Sequence, residues 1–312
     1  MPNTSTANFS KPDNKPREWP WVEDLYPEYD PAIPWPRISI VTPSFNQGEF
    51  LEETIRSVLF QGYPNLEYII MDGGSTDNSV EIIRSYSDRI AYWTSEKDQG
   101  QTDAIKRGFD RAQGDLLGWL NSDDIYFPEA LVRVARQHLE HPEALILGAV
   151  QNFITGPVRK IIKEIQQENI TLENFLLPGR SNYSWHQPGV FFPRSIYNDI
   201  GGLDPRLHYG MDHDLMCRFL INNADQVIIK EPIAGFRVHT RSKTSAQNIH
   251  LMAENYRIRM RYWNHLPENE LSLILGMKAH FLLRAIKLLL KGNFKDAWIS
   301  LGYCFGNSLR ER

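Results

Sequence analysis

The sequence predicts an α/β fold: a mostly parallel central sheet with helices on both faces, followed by C-terminal helices. Two patterns carry this prediction. From Ile38 onward, short apolar runs alternate with segments whose apolar residues recur at helical spacing, the signature of a parallel sheet covered by helices. Several of the short runs also break off into glycine or polar clusters. Sheets of this kind bind ligands beyond the carboxyl ends of their strands, so these endings should meet at one edge.

Taken in order, residues 1–36 mix proline, aromatic and charged residues without a period of 2 or 3.6. They read as an extended arm, disordered at its tip and packed on the domain through Trp19, Trp21 and Trp35. Ile38-Ser39-Ile40-Val41 is the first strand, stopped by Thr42-Pro43-Ser44-Phe45-Asn46 and followed by a helix through Phe50, Leu51, Ile55 and Val58. Leu66 to Met71 is the second strand, closed by Asp72-Gly73-Gly74-Ser75-Thr76-Asp77, and a helix through Val80, Ile82 and Ile83 follows. Ile90 to Trp93 is the third; Lys97-Asp98-Gln99-Gly100-Gln101 leads from it into a helix through Ala104, Ile105 and Phe109. The fourth, Leu116 to Leu120, ends in Asn121-Ser122-Asp123-Asp124 before a helix from Pro128 to His141.

The second half is less regular. Strands are expected at Ala144 to Val150, Val190 to Phe192 and Val227 to Ile229, with a helix from Met211 to Ile221. Residues 156–184 are polar and read as a lid or an acceptor-facing insertion. Three units follow: the arm to 36, a catalytic domain over 37–250, and a helical appendage over 251–312. In that appendage His280, Arg284, Lys287 and Lys291 fall on one narrow face of an otherwise apolar helix. It either packs on the domain or lies in a membrane interface, since a spanning helix tolerates such charges poorly.

At 312 residues, with 42% apolar and 23% charged residues, the composition is that of a globular protein with a substantial core. The net charge of −4 gives no basic surface of the kind nucleic-acid readers carry, and nucleic acid is not expected as a partner. Two cysteines are too few for a disulfide framework, and Met1-Pro2-Asn3-Thr4-Ser5 lacks a secretory start. Cytoplasmic residence is expected, with the inner face of the plasma membrane as an address for the basic helix.

Four clusters carry chemistry, each with a plainer reading beside it. Adjacent carboxylates at Asp123 and Asp124 cannot be buried unpaired, so a divalent cation, magnesium or manganese, suits them; the alternative is a turn bonded to nearby backbone. Asp72-Gly73-Gly74-Ser75 lets a ligand approach a carboxylate closely, or is a glycine turn capping the next helix. Gly100-Gln101 with Asp103 is a helix entrance that favours anions. Asp212 and His239 form the fourth, with a helix-terminal charge and a structural histidine as the plain readings.

In order and spacing, Thr42-Pro43-Ser44-Phe45-Asn46, Asp72 to Asp77, Glu96-Lys97-Asp98 through Gln101, and Asn121 to Asp124 resemble glycosyltransferase family 2, over about 38–245. The resemblance implies the GT-A fold, a Rossmann-like sheet, and a metal-dependent, inverting hexosyltransferase that uses a nucleotide-sugar, UDP-linked. Polysaccharide or glycolipid synthesis is the implied setting, with a saccharide or lipid-linked acceptor. It implies that Asp72 reads the nucleotide base, with Thr42, Pro43, Ser44, Phe45 and Asn46 alongside. Gly74, Ser75, Lys97, Gly100, Gln101 and Asp103 join the donor site, together with Asn121, Ser122 and Asp123.

Asn121-Ser122-Asp123 stands at the family's Asp-x-Asp motif with an amide in place of the first carboxylate, so either Asp123 or Asp124 is the direct metal ligand. Lys106 departs from the usual asparagine and is either a phosphate contact or a solvated charge. Asp212 stands at the position of the catalytic base, and His239 at that of a histidine completing the metal site. Trp185, His186 and Gln187 resemble an acceptor-side segment. A nucleotidyltransferase, and a sugar-nucleotide-binding scaffold without turnover, are the competing functions.

Overall fold

A computed structural model describes residues 19–21, 29–156, 158–176, 185–242 and 249–265, with residues 279, 282, 283, 285–292, 294, 297, 298, 300 and 301 near the end. Most of the proline-rich arm lies outside the described residues, as do 177–184 of the expected lid and His280 and Arg284 of the terminal helix.

The elements are β1 (Ile38–Ser44), α1 (Leu51–Leu59), β2 (Leu66–Asp72), α2 (Ser79–Ser85), β3 (Tyr92–Ser95), α3 (Gln101–Arg111), β4 (Leu116–Trp119), β5 (Ile125–Tyr126) and α4 (Ala130–Glu140). There follow β6 (Leu145–Ile154), β7 (Lys160–Ile165), α5 (Leu172–Leu176), β8 (Val190–Pro193), α6 (Arg194–Asp199), α7 (Met211–Ile221), β9 (Gln226–Arg237) and α8 (Ile249–Tyr262). One sheet runs β3-β2-β1-β4-β8-β6-β9-β5, with β7 also on β6. The first four strands are mutually parallel and β6 is parallel to β9, while β8, β7 and β5 pair antiparallel. The expected parallel sheet is therefore one half of a larger mixed one.

Register explains why the polar endings meet. Ser44 lies beside Asp72, Asp72 beside Ser95, and Val41 beside Trp119, so the tips of β3, β2, β1 and β4 finish at one edge. The alternation of β1 sends Ile38 and Ile40 to the face covered by α1, α2 and α4, and Val41 to the opposite face with α3 and α7. Burying such an aliphatic side chain contributes about 1.5–3 kcal/mol, which holds the helices to the sheet. On the α3 side the approach is close: a Cβ at Gly108 would lie 2.4 Å from Val41 Cγ1.

The arm packs as expected where it is described. Trp19 and Trp21 are buried, Trp19 Nε1 donates to the Tyr126 carbonyl at 2.7 Å, and Trp35 meets Tyr29 and Tyr63 edge-on. The described part of the region expected as a lid or acceptor-facing insertion contains an edge strand, β7, and the short α5. The appendage begins within the body: α8 packs on α7 with Ile258 fully buried and Tyr262 nearly so.

Candidate active site

The strand tips and the start of α7 enclose a cavity of about 950 Å³. Pro43, Ser44 and Phe45 form one wall, with Gly74, Lys97, Gly100 and Gln101 beside them. Asn121, Ser122 and Asp123 also line the cavity, as do Trp185, His186, Gln187 and Asp212. Thr42, Asn46, Asp72, Ser75, Asp103, Asp124 and His239 lie outside the lining. Lys106 also lies outside it and pairs with Asp110 at 2.7 Å, one turn along α3, the solvated-charge reading.

Local chemistry explains the residues behind the wall. Thr42 Oγ1 shares a 3.0 Å hydrogen bond with the Tyr68 hydroxyl inside the sheet. Asp72 is buried and its carboxylate is fully engaged, accepting from the Gly74 and Ser75 N–H groups and from the Ser75 and Ser95 hydroxyls at 2.6–3.2 Å. It therefore organises the glycine turn from beneath. Asn46, in the left-handed region at φ 51°, accepts from the Thr76 N–H and donates its own N–H to Ser75 Oγ, tying the β1 and β2 tips together. Asp103 accepts from the Gln99 N–H at 3.2 Å at the entrance of α3.

A carboxylate not singled out as a contact stands in the cavity where Asp72 does not. Asp98 accepts from the Gly100 N–H through Oδ1 at 2.8 Å, and its Oδ2 lies 2.7 Å from where a Cβ at Gly73 would be. The missing side chain at 73 makes room for it. In sequence, Asp98 stood in the strand-end cluster Glu96-Lys97-Asp98 through Gln101, but nothing there showed that it faces the cavity.

The two adjacent carboxylates separate completely. Asp124 is buried and accepts from the Arg237 N–H at 2.9 Å and from the Asn121 amide at 3.4 Å. Burial, with the Asp123 charge beside it, pushes its carboxyl well above the usual range, against the pull of Arg237. Arg237 is 1% exposed; its guanidinium reaches Glu53 at 2.8 Å and the Asp123 carbonyl at 2.7 Å, and lies over the rings of Phe50 and Phe153. Arg159 also holds Glu53, at 2.7 Å, so this half-buried anion beneath the tip is paired by two protein cations. Asn121 has a matching reason to be an amide: its Oδ1 accepts from Gln101 at 2.8 Å while its NH₂ faces Asp124.

Of the adjacent pair, Asp123 is the one that lines the cavity, and its Oδ2 lies 2.9 Å from His239 Nε2. His239 packs beside Phe50, and its Nδ1 is buried without a partner. Among the described residues no cluster of three His, Cys, Asp or Glu side chains surrounds a metal position. One carboxylate and one imidazole nevertheless suit a divalent ion that completes its shell with phosphate oxygens and water; imidazole favours manganese over magnesium.

Asp212 lines the same cavity from the start of α7. It accepts from the His213 N–H at 2.8 Å, and desolvation raises its pKa to about 6. Asp214, two residues on, turns into the core, held by Arg218, Arg261 and the Tyr262 hydroxyl. Burial lowers His213 to about 3 and His186 to about 4, so both imidazoles are neutral at physiological pH. Trp185 and His213 stack with Phe175. Three buried polar atoms of lining residues have no partner: Ser44 Oγ, Trp185 Nε1 and Gln187 Oε1.

Compared with known proteins, the chain matches the model of the family described as glycosyl transferase family 2 over residues 39–201. A glycosyltransferase of Rickettsia typhi is 26% identical over 261 residues, which cover 79% of this chain and 78% of that protein. Among solved structures, S. aureus TarS 1–349 in complex with UDP-GlcNAc superposes with a TM-score of 0.56 at 15% identity, covering 88% of this chain and 93% of that one. Against a longer TarS chain the match spans 49% of its length. The mannosyltransferase PcManGT from Pyrobaculum calidifontis, solved with GDP-Man and Mn²⁺, gives 0.53 at 17% identity, covering 90% of this chain and 88% of that one. These likenesses establish the GT-A fold.

Proposed function

The chain belongs to glycosyl transferase family 2, and we propose that it moves a sugar from a UDP- or GDP-linked donor to a hydroxyl of a saccharide or lipid-linked acceptor, with inversion at the anomeric carbon. Family membership makes it a glycosyltransferase and removes the nucleotidyltransferase alternative. The observation that carries the mechanism is the presence, in one cavity, of the strand-tip groups around Asp123 and the desolvated carboxylate of Asp212.

The nucleoside end of the donor fits the wall formed by the β1 and β2 tips. Phe45 is 59% exposed at the rim and offers a ring for stacking, while the unpartnered Ser44 hydroxyl awaits a polar group. Asp98 takes the base-reading role expected of Asp72, because its Oδ2 faces the space over Gly73; uracil and guanine both present a ring N–H to such an acceptor. Asp123 and His239 are the residues that would hold a divalent ion, and such an ion would supply positive charge to the departing diphosphate.

The acceptor hydroxyl gives its proton to Asp212 as its oxygen attacks the anomeric carbon, and the nucleoside diphosphate leaves from the opposite face. A carboxyl near pKa 6 is ionised at neutral pH yet basic enough to take that proton. Trp185, His186 and Gln187 supply the acceptor side. With both nearby imidazoles neutral, this wall suits hydroxyl-rich sugar better than an anionic group.

The terminal segment supports a peripheral membrane contact. Leu283, Leu290, Phe294 and Trp298 are 60–83% exposed, and Lys287 and Lys291 are exposed beside them, a combination that suits an anionic lipid surface. Among the described residues no helix is long and apolar enough to cross a membrane.

A thermal-shift panel of UDP-, GDP- and CDP-sugars with Mn²⁺ tests the donor assignment. UDP- or GDP-sugars should raise the melting temperature with the logarithm of their concentration; no shift with either, or a larger one with CDP-sugars, overturns it.

A further inference from the structure

Ahead of α7 the backbone of residues 208–210 converges on one carboxylate. Glu254, on α8, accepts from the His208 N–H at 3.0 and 3.1 Å, the Tyr209 N–H at 2.5 Å and the Gly210 N–H at 2.6 Å. Gly210 is the residue before α7, and a Cβ there would fall 2.6 Å from both Asn255 Oδ1 and Ile258 Cδ1 of α8. A second contact bolts the same two helices: Arg261 and the Tyr262 hydroxyl reach Asp214 at 2.9 and 2.8 Å. Asp212 lies between these two fastenings. The loop touches the donor side as well, since Thr102 of α3 donates to the Leu207 carbonyl at 2.5 Å.

We propose that Glu254 is a positioning residue of the transfer reaction: by gathering the three N–H groups that precede α7, it sets where Asp212 enters the cavity. This rests on Asp212 being the base. The helix that carries Glu254 lies beyond the matched family segment, at residues outside 39–201. A half-buried anion held by several N–H groups is a strong local restraint, and a base displaced by 1 Å can lose about 100-fold in rate.

Glu254 also acts on Asp212 through charge, in the direction that raises its pKa. The other groups around Asp212 do not duplicate this. His213 is neutral, Asp214 is neutralised by Arg218 and Arg261, and Arg259 of α8 acts on His213. Lys97, Asp98, Asp123, His186 and Arg241 share the cavity.

The test uses the full chain and the donor that gives the largest thermal shift. Glu254→Gln keeps an acceptor and removes the charge, Glu254→Asp keeps the charge, and Glu254→Ala removes both. In Glu254→Ala, hydrogen exchange at the amides of residues 208–210 should quicken by about 100-fold or more. Donor consumption should slow roughly 10-fold or more while the donor KM stays within about 2-fold. In Glu254→Gln, the pH midpoint of the stability difference between Asp212 and Asp212→Asn backgrounds should fall by roughly half a unit, and Glu254→Asp should restore it. Unchanged exchange in Glu254→Ala, a donor KM that rises as much as kcat falls, or an unmoved midpoint overturns the proposal. Retained turnover in Asp212→Asn instead overturns the base assignment on which it rests, and leaves the amide result to judge the clamp by itself.

Discussion

Replacing Asp212 with Asn separates what its carboxylate does for catalysis from what it costs the fold. Desolvation lifts the carboxyl from 3.8 to about 6, roughly 2 units, which corresponds to about 3 kcal/mol between its protonated and ionised forms. Because the folded pKa is raised, the associated stability is fully present below pH ~4 and is lost as the pH climbs through about 6. At pH 8 the wild type therefore carries an ionised, desolvated carboxylate. The Asp212→Asn protein carries a neutral amide there instead, and that amide keeps an oxygen for the His213 N–H. The variant should be more stable than wild type at pH 8 by up to about 3 kcal/mol, with partial solvent access reducing the figure, and equal to it near pH 4. Differential scanning fluorimetry across that range reads the stability as a shift of a few degrees.

The same variant should bind the donor as wild type does and transfer no sugar. Wild-type turnover should fall on the acid side with a pKa near 6. Turnover by Asp212→Asn would refute the base assignment, and a stability difference that is flat with pH would refute the desolvation argument.

Arg237→Met should cost about 3 kcal/mol in chemical denaturation, because it leaves half-buried Glu53 with Arg159 alone and takes the guanidinium donor from the Asp123 carbonyl, while the backbone N–H that serves Asp124 stays. Asn121→Asp replaces the amide donor to buried Asp124 with a further carboxylate; without divalent ions it should lose about 1–3 kcal/mol of stability, and Mn²⁺ should then raise its melting temperature more than it raises that of wild type. Equal Mn²⁺ responses would contradict the placement of that amide. Exchanging Leu290, Phe294 and Trp298 for Ser should lower co-sedimentation with anionic liposomes at low salt, and unchanged sedimentation would remove the proposed lipid contact.

The parallel half of the sheet was legible because Ile38 to Val41, Leu66 to Met71 and Leu116 to Leu120 are dense apolar runs that end abruptly. β7 was not: five of its six residues are exposed at an edge, so burial imposes no alternation on them. α8 falls within the expected helical appendage, but its docking on α7 was not legible, since apart from Ile258 its contacts to α7 run through Glu254, Arg261 and Tyr262, which read as an ordinary polar helix. At the site, runs of chemistry were visible but the facing of individual side chains was not. Asp72 and Asp98 both end strand-proximal turns, yet one faces inward and the other the cavity; Asp123 and Asp124 are adjacent and point to opposite environments. Arg237 decides the second case, and a single arginine near a strand end gives no sign that it will be 1% exposed. Such outcomes are set by which donors lie within reach in three dimensions.

In the proposed reaction the strand-tip edge around Asp123 holds the diphosphate of a sugar donor. Calorimetric titration of UDP and GDP into wild type and Asp123→Ala, in Mn²⁺ buffer, tests it most directly. Binding should weaken by roughly 10-fold or more in the variant while Asp212→Asn stays at the wild-type affinity. Equal affinity in wild type and Asp123→Ala would contradict the account.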